Sequence, residues 1–230
     1  MGAALGWGAF AASSLVIGAL LGVARSWPAE PIGLVLAFGA GALISAVSFD
    51  LAQEGAQIGS PGMMATGLGV GAITYFVLDR ALEKGSGGAG VGLALGAFLD
   101  GIPEQLVLGI GLAAGEGVSV GLLAAIFVSN LPEAIGSATD MRGTRRSGRQ
   151  IVRLWVAVAV VCTIASVAGY AIADVTGGRL RAGIDGFAAG ALLVMLIDSM
   201  IPDARRKGGP AAGLVTVLGF AVAAALTGIS

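Results

Sequence analysis

Asp100-Gly101-Ile102-Pro103-Glu104 lies in the middle of an apolar run over residues 90–113, and Ser129-Asn130-Leu131-Pro132-Glu133 lies inside a second run over 118–139. Each run reaches the roughly 20 residues a helix needs to cross about 30 Å of hydrocarbon. Asp100, Glu104 and Glu133 then fall at or near the bilayer centre. An acidic side chain there costs roughly 2.5–3.5 kcal/mol on insertion scales, so three persist only by facing one another, water or a cation.

The rest of the chain agrees with a membrane setting. Of its 230 residues, 56% are hydrophobic and only 12% charged, about half the charged share of soluble domains. The mean hydropathy is +0.92. With 40 Gly, helices can approach one another closely, as membrane helices do. There is no His and a single Cys, which excludes zinc fingers, Ser-His-Asp triads, histidine-ligated haem and disulfide frameworks.

Eight runs are long and apolar enough to span, at about 4–24, 32–53, 63–79, 90–113, 118–139, 151–173, 182–202 and 210–229. The expected fold is an all-α membrane protein, one polytopic domain over residues 1–230. No basic residue precedes the first run, so a cleaved signal peptide is not expected. Charge tests the count. With the N-terminus outside, the cytoplasmic loops and their flanks carry Arg25, Arg80, Lys84, Arg142, Arg145, Arg146, Arg149, Arg153, Arg205, Arg206 and Lys207. Only Arg179 and Arg181 fall outside, so the positive-inside rule favours eight spans with both termini outside. The Arg142–Arg149 run reads as a solvated topological anchor rather than a nucleic-acid or lipid-headgroup site.

The runs also repeat in opposite orientation. Phe38-Gly39-Ala40-Gly41-Ala42-Leu43 matches Phe187-Ala188-Ala189-Gly190-Ala191-Leu192 at an offset of 149, and Glu54 falls on Asp203. Gly101-Ile102-Pro103-Glu104 matches Asn130-Leu131-Pro132-Glu133 at an offset of 29. The second span enters where the seventh leaves, and the fourth and fifth are likewise antiparallel. Inverted repeats of this kind (here 3+2+3) build many secondary transporters, with sites near the midplane.

Asp100 and Glu104, at i,i+4, share one helix face; Asn130 and Glu133, at i,i+3, share another, with Ser129 beside them. Pro103 has no N–H to offer the Leu99 carbonyl, and Pro132 none for that of Val128. Carbonyls freed within a turn of the carboxylates must find water, a hydroxyl or a cation. The bland reading is a hydrogen-bonded carboxyl cluster that only locks two helices together; the sharper one is an oxygen-rich cation pathway.

At these Pro-Glu segments the chain resembles the ZIP (Zrt/Irt-like) family of divalent-metal transporters, over nearly its whole length. The family's fourth-span motif has the form His-Asn-x-Pro-Glu-Gly, matched by Asp100-Gly101-Ile102-Pro103-Glu104-Gln105; its fifth-span motif ends in x-Pro-Glu, matched by Pro132-Glu133. The resemblance implies metal transport through a midplane site with Asp100, Glu104 and Glu133 as principal ligands and Asn130 and Ser129 as auxiliary ones. It implies a homodimer in the cell (inner) membrane, helix bundles that move against each other, and no cofactor beyond the transported ion, Zn²⁺ or similar. The family's His is Asp100 here and its Asn is Gly101, which puts a second metal position in doubt. Losing imidazole favours harder ions such as Mn²⁺, although zinc accepts Asp and Glu.

A cation arriving among three carboxylates should displace protons from them, so binding should weaken in acid. Asp50, Glu54 and Glu116 could gather cations at the entrance, and Asp198 and Asp203 at the exit, although each reads first as a solvated charge at a span end. Asp185 can pair with Arg181 at i,i+4, while Cys162, Met195 and Met200 read as packing residues. Rival readings are an intramembrane enzyme, against which no His-Glu-x-x-His or Gly-x-Ser-x-Gly is present, a proton- or organic-substrate carrier using the same carboxylates, and a metal binder that does not transport.

Overall fold

The computed structural model describes residues 1–58, 60–85, 89–113, 119–143 and 146–227. Glu116 and Arg145 lie outside them, and the side chains of Glu54 and Lys84 are likewise outside the described set. Every regular element among the described residues is helical, with no strand among them. Helix α1 is Gly2–Ala24, α2 Ala29–Ala46, α3 Pro61–Gly85 and α4 Ala89–Ala113. Helices α5, α6, α7 and α8 are Val120–Arg142, Gly148–Val175, Gly178–Met195 and Ala212–Thr227. Each lies over one of the apolar runs. The third reaches Gly85, six residues past the expected end of its run, with Arg80 continuing the helix and its guanidinium lying over the Phe76 ring at 4.5 Å.

Local chemistry sets the boundaries. Ser119 accepts the Leu122 amide at 3.2 Å and opens α5. Ser147 and Gln150 form a capping box that opens α6, satisfying amides that would otherwise lack partners. Gly209, at φ +65°, turns the chain before α8, a conformation that an L side chain resists. Pro103 and Pro132 lie inside α4 and α5, which continue through them.

Two helices change pitch. α2 runs on through a π-helical stretch, Val47–Gln53, into Glu54–Ile58, and α7 through another, Leu196–Met200, into Ile201–Gly208. The stretches begin at Val47 and Leu196, 149 positions apart, the offset of the matched hexapeptides. Neither carries a Gly or Pro, so nothing in composition announces them. π-Bulges gather at functional sites, and these carry Asp50, Asp198 and Ser199.

Among the described residues, six helical runs are long and apolar enough to cross a bilayer: 2–24, 29–57, 61–82, 120–142, 148–175 and 178–226. The last, at 49 residues, would measure about 73 Å if straight, more than twice one crossing. Large apolar side chains stand exposed along the outer faces, among them Phe10 (52%), Ile73 (66%), Ile164 (60%) and Leu214 (78%), a surface suited to lipid and unsuited to water.

Glycine rows decide which helices touch. Gly67 and Gly71 of α3 lie on the backbone of Gly183 and Phe187, and Gly186 and Gly190 of α7 answer on Met64 and Leu68. Gly41 and Gly219 join α2 to α8 at Thr216 and Phe38; Gly109 and Gly169 join α4 to α6 at Ser166 and Leu106; Gly18 and Gly22 join α1 to α5 at Leu131 and Ile135. The result is two helix groups: α1, α4, α5 and α6 pack together, as do α2, α3, α7 and α8. They meet chiefly where α2 crosses α5, with Gly39 against Ser129.

Candidate metal centre

The two Pro-Glu segments meet where α4 and α5 pass each other inside the first helix group. Glu104 (2% exposed), Ser129 (0%) and Asn130 (1%) are buried, Asp100 is nearly so, and Glu133 is half-buried. The Ser129 hydroxyl donates to Glu104 Oε1 at 3.2 Å, and it also lies 3.0 Å from the Ile126 carbonyl one turn back. Asn130 sits beside Glu104, within reach of a side-chain hydrogen bond to it.

Asp100 is held differently. Its Oδ1 accepts from the Tyr75 hydroxyl of α3 and its Oδ2 from Ser199, in the π-helical stretch after α7, at 3.3 Å. Both donors belong to the other helix group. Glu133 lies within electrostatic reach of Asp100 and Glu104, and also of Asp203 and Lys207. Lys207 Nζ pairs with Asp203 Oδ2 at 3.1 Å and comes up against Gly136, one turn past Glu133. Gly101 faces the Cys162 sulfur, with no room between them for a side chain; Cys162 is fully buried and lies within electrostatic reach of Glu104 and Glu133.

The five residues picked out by the sequence thus lie in one neighbourhood, with Ser129, Asn130 and Glu104 in direct proximity and Asp100 drawn toward α3 and α7. Among the described residues, no three His, Cys, Asp or Glu side chains gather tightly enough here to hold an ion together. Sequence reasoning missed Tyr75, Ser199, Asp79 and Lys207. Asp79 lies one turn beyond Tyr75 on α3, in the neighbourhood of Asp100. Its one signal was the i,i+4 pairing of Tyr75 and Asp79 within an apolar span.

The outlying acids divide. Asp185 pairs with Arg181 at 3.1 Å, both buried, and Arg181 also donates to the Ile110 carbonyl of α4 at 3.0 Å. Asp50 Oδ2 accepts from Ser119 at 3.2 Å. Asp203 is paired with Arg206 and Lys207, and Asp198 is exposed.

Fold and site together define an all-helical, multi-pass membrane protein with buried carboxylates on adjoining helices. No protein-family model matches the chain. It is 30% identical over 192 aligned residues to a protein of Arabidopsis thaliana named "Putative zinc transporter", the alignment covering 77% of this chain and 30% of that relative. The similarity bears out the resemblance to zinc transporters carried by the Pro-Glu segments. The chain spans less than a third of the length of the curated relative it matches.

Proposed function

We propose that the chain is a ZIP-type transporter of divalent metal cations, with eight spans, both termini outside, and a midplane site built from Asp100, Glu104 and Glu133 with Ser129 and Asn130. The observation that carries this reading is the burial of Asp100 and Glu104 beside Ser129 and Asn130, with the Ser129–Glu104 hydrogen bond joining α4 to α5. Buried carboxylate, hydroxyl and amide oxygens inside a lipid-facing bundle suit a hard or borderline cation.

Helix packing supports the inverted repeat. Exchanging α1, α2 and α3 for α6, α7 and α8, and α4 for α5, turns the α3–α7 contact into α8–α2 and the α4–α6 contact into α5–α1. All four contacts exist. The π-helical stretches share the same exchange. Eight spans follow if the 178–226 run crosses twice, turning at Gly209, and if Ala89–Ala113, at 25 residues, crosses once. In this reading the partners are the cation, the bilayer of the cell membrane and a second copy of the chain; the activity is transport rather than catalysis.

The cation would draw the carboxylates together, displace their protons and leave when the site faces the opposite side. Zinc is the cation the relative's name points to; the all-oxygen ligand set points to Mn²⁺ as a competitor. The test is uptake into liposomes across a panel of Zn²⁺, Mn²⁺, Cd²⁺ and Mg²⁺. Saturable uptake that Glu104→Gln/Glu133→Gln abolishes supports the proposal, and wild-type uptake by that variant refutes it. Because no three ligands converge among the described residues, a proton or organic-substrate carrier is the second reading. It predicts no stabilisation of the protein by any of these cations.

A further inference from the structure

Both oxygens of the Asp100 carboxylate are engaged from across the boundary between the helix groups, Oδ1 by Tyr75 and Oδ2 by Ser199. Tyr75 is 3% exposed, on the face of α3 turned toward α4. Glu104, one turn along α4 from Asp100, is bound only within its own group, by Ser129. The carboxylate cluster is therefore split. Glu104 stays with α4 and α5, while Asp100 is held toward α3 and α7.

Ser199 also has a counterpart. Asp50 lies 149 positions before it, in the other π-helical stretch, and likewise reaches across the group boundary, accepting from Ser119 at the start of α5. Each π-helical stretch thus hands one side chain to the opposite group. A widened helical turn re-aims side chains that regular α-helix would direct elsewhere, and here both re-aimed side chains make a tie between groups.

We propose that Tyr75 and Ser199 form a latch on Asp100 that a divalent cation opens: the two hydroxyls tie Asp100 to the other helix group, and an ion that gathers it with Glu104 and Glu133 draws it away from them. The inference rests on the carboxylate site proposed above and assigns Tyr75 a positioning role in it. Moving Asp100 toward the ion breaks the ties between the helix groups, and part of the binding free energy is used in doing so. Removing the phenol hydroxyl removes that cost and tightens cation binding.

The chain has two tyrosines, Tyr75 and Tyr170, which makes the latch directly observable. The full chain is labelled with 3-fluorotyrosine, purified in detergent and titrated with Zn²⁺, its two ¹⁹F lines assigned with Tyr170→Phe. The Tyr75 line is expected to move in step with Zn²⁺ binding measured by calorimetry while the Tyr170 line stays. Tyr75→Phe is expected to bind Zn²⁺ about tenfold more tightly, as loss of a competing hydrogen bond to a charged group implies. Ser199→Ala, which removes the other hydroxyl, is expected to act in the same direction and serves if Tyr75→Phe does not fold. Zn²⁺ binding with an unmoved Tyr75 line, or with affinity unchanged or weakened in the folded variant, overturns the latch and leaves the carboxylate site standing. No Zn²⁺ binding by the wild-type chain overturns both.

Discussion

Ser129 on α5 donates a hydrogen bond to Glu104 on α4 at 3.2 Å, joining the two proline-containing segments through a contact that is wholly buried. Ser129 and Glu133 are one helical turn apart, so this bond also fixes how Glu133 is presented relative to Glu104. Ser129→Ala should leave the protein folded and weaken cation binding about tenfold, the lower end of what outer partners of metal ligands contribute. Glu104→Gln should remove binding altogether. Calorimetry with Zn²⁺ and Mn²⁺ on the purified variants checks both, and equal losses for the two variants would deny Ser129 its supporting role.

Asp100 stands where the resembled family has His. Imidazole suits zinc better than carboxylate does relative to harder ions, so Asp100→His should raise the Zn²⁺-over-Mn²⁺ ratio. Competition uptake in liposomes measures that ratio directly. An unchanged ratio would mean that Asp100 does not touch the ion.

Proton competition gives a third expectation. Carboxylates ligate in their deprotonated form, so binding releases whatever protons they carry. Affinity should therefore fall as pH falls, by about tenfold per pH unit for each proton displaced. Zn²⁺ titrations at two pH values read the slope, and a slope of zero would show that protons and metal do not share the site.

How much of this was legible in sequence depends on the distance between partners. Asp100, Glu104 and Glu133 stood out because acids in apolar runs are costly wherever they point, and the i,i+4 spacing of Arg181 and Asp185 announced their ion pair. Helix positions followed from the apolar runs for the same local reason. Tyr75 and Ser199 did not stand out, because they lie 25 and 99 residues from Asp100 and a tyrosine or serine in an apolar helix is unremarkable in itself. The Ile110 carbonyl that Arg181 also binds has no side-chain signature. Nor did composition signal the π-helical stretches, which carry neither Gly nor Pro.

The buried ion pair makes a stability prediction. Arg181 and Asp185 are 9% and 2% exposed at their side chains, and Arg181 links α7 to α4 through Ile110. Arg181→Leu leaves a buried carboxylate uncompensated and should cost about 3–5 kcal/mol. Arg181→Leu/Asp185→Leu should recover most of that loss, since an apolar pair can replace a buried ion pair at little cost. Unfolding in detergent, followed by circular dichroism, compares the two. A double variant no more stable than the single would show that the Ile110 contact, rather than the ion pair, matters.

The last prediction concerns the glycine rows. A Cβ at Gly71 would collide with the backbone of Phe187 on α7, while one at Gly69, two residues earlier on the same helix, would meet nothing within 4 Å. Backbone cannot rotate away as a side chain can, so Gly71→Ala must push α3 from α7, at a cost in the range of about 1–3 kcal/mol typical of overpacking. Gly69→Ala meets no obstacle and should stabilise the helix by up to about 1 kcal/mol, the difference in helix propensity between the two residues. Gly190→Ala, on the facing helix and against the Leu68 carbonyl, should behave like Gly71→Ala. Because both act on one crossing, the two should combine less than additively: once the helices have separated, the second methyl finds room. Thermal unfolding of the four proteins, including Gly71→Ala/Gly190→Ala, separates these outcomes, and equal effects at Gly69 and Gly71 would disprove the close α3–α7 approach.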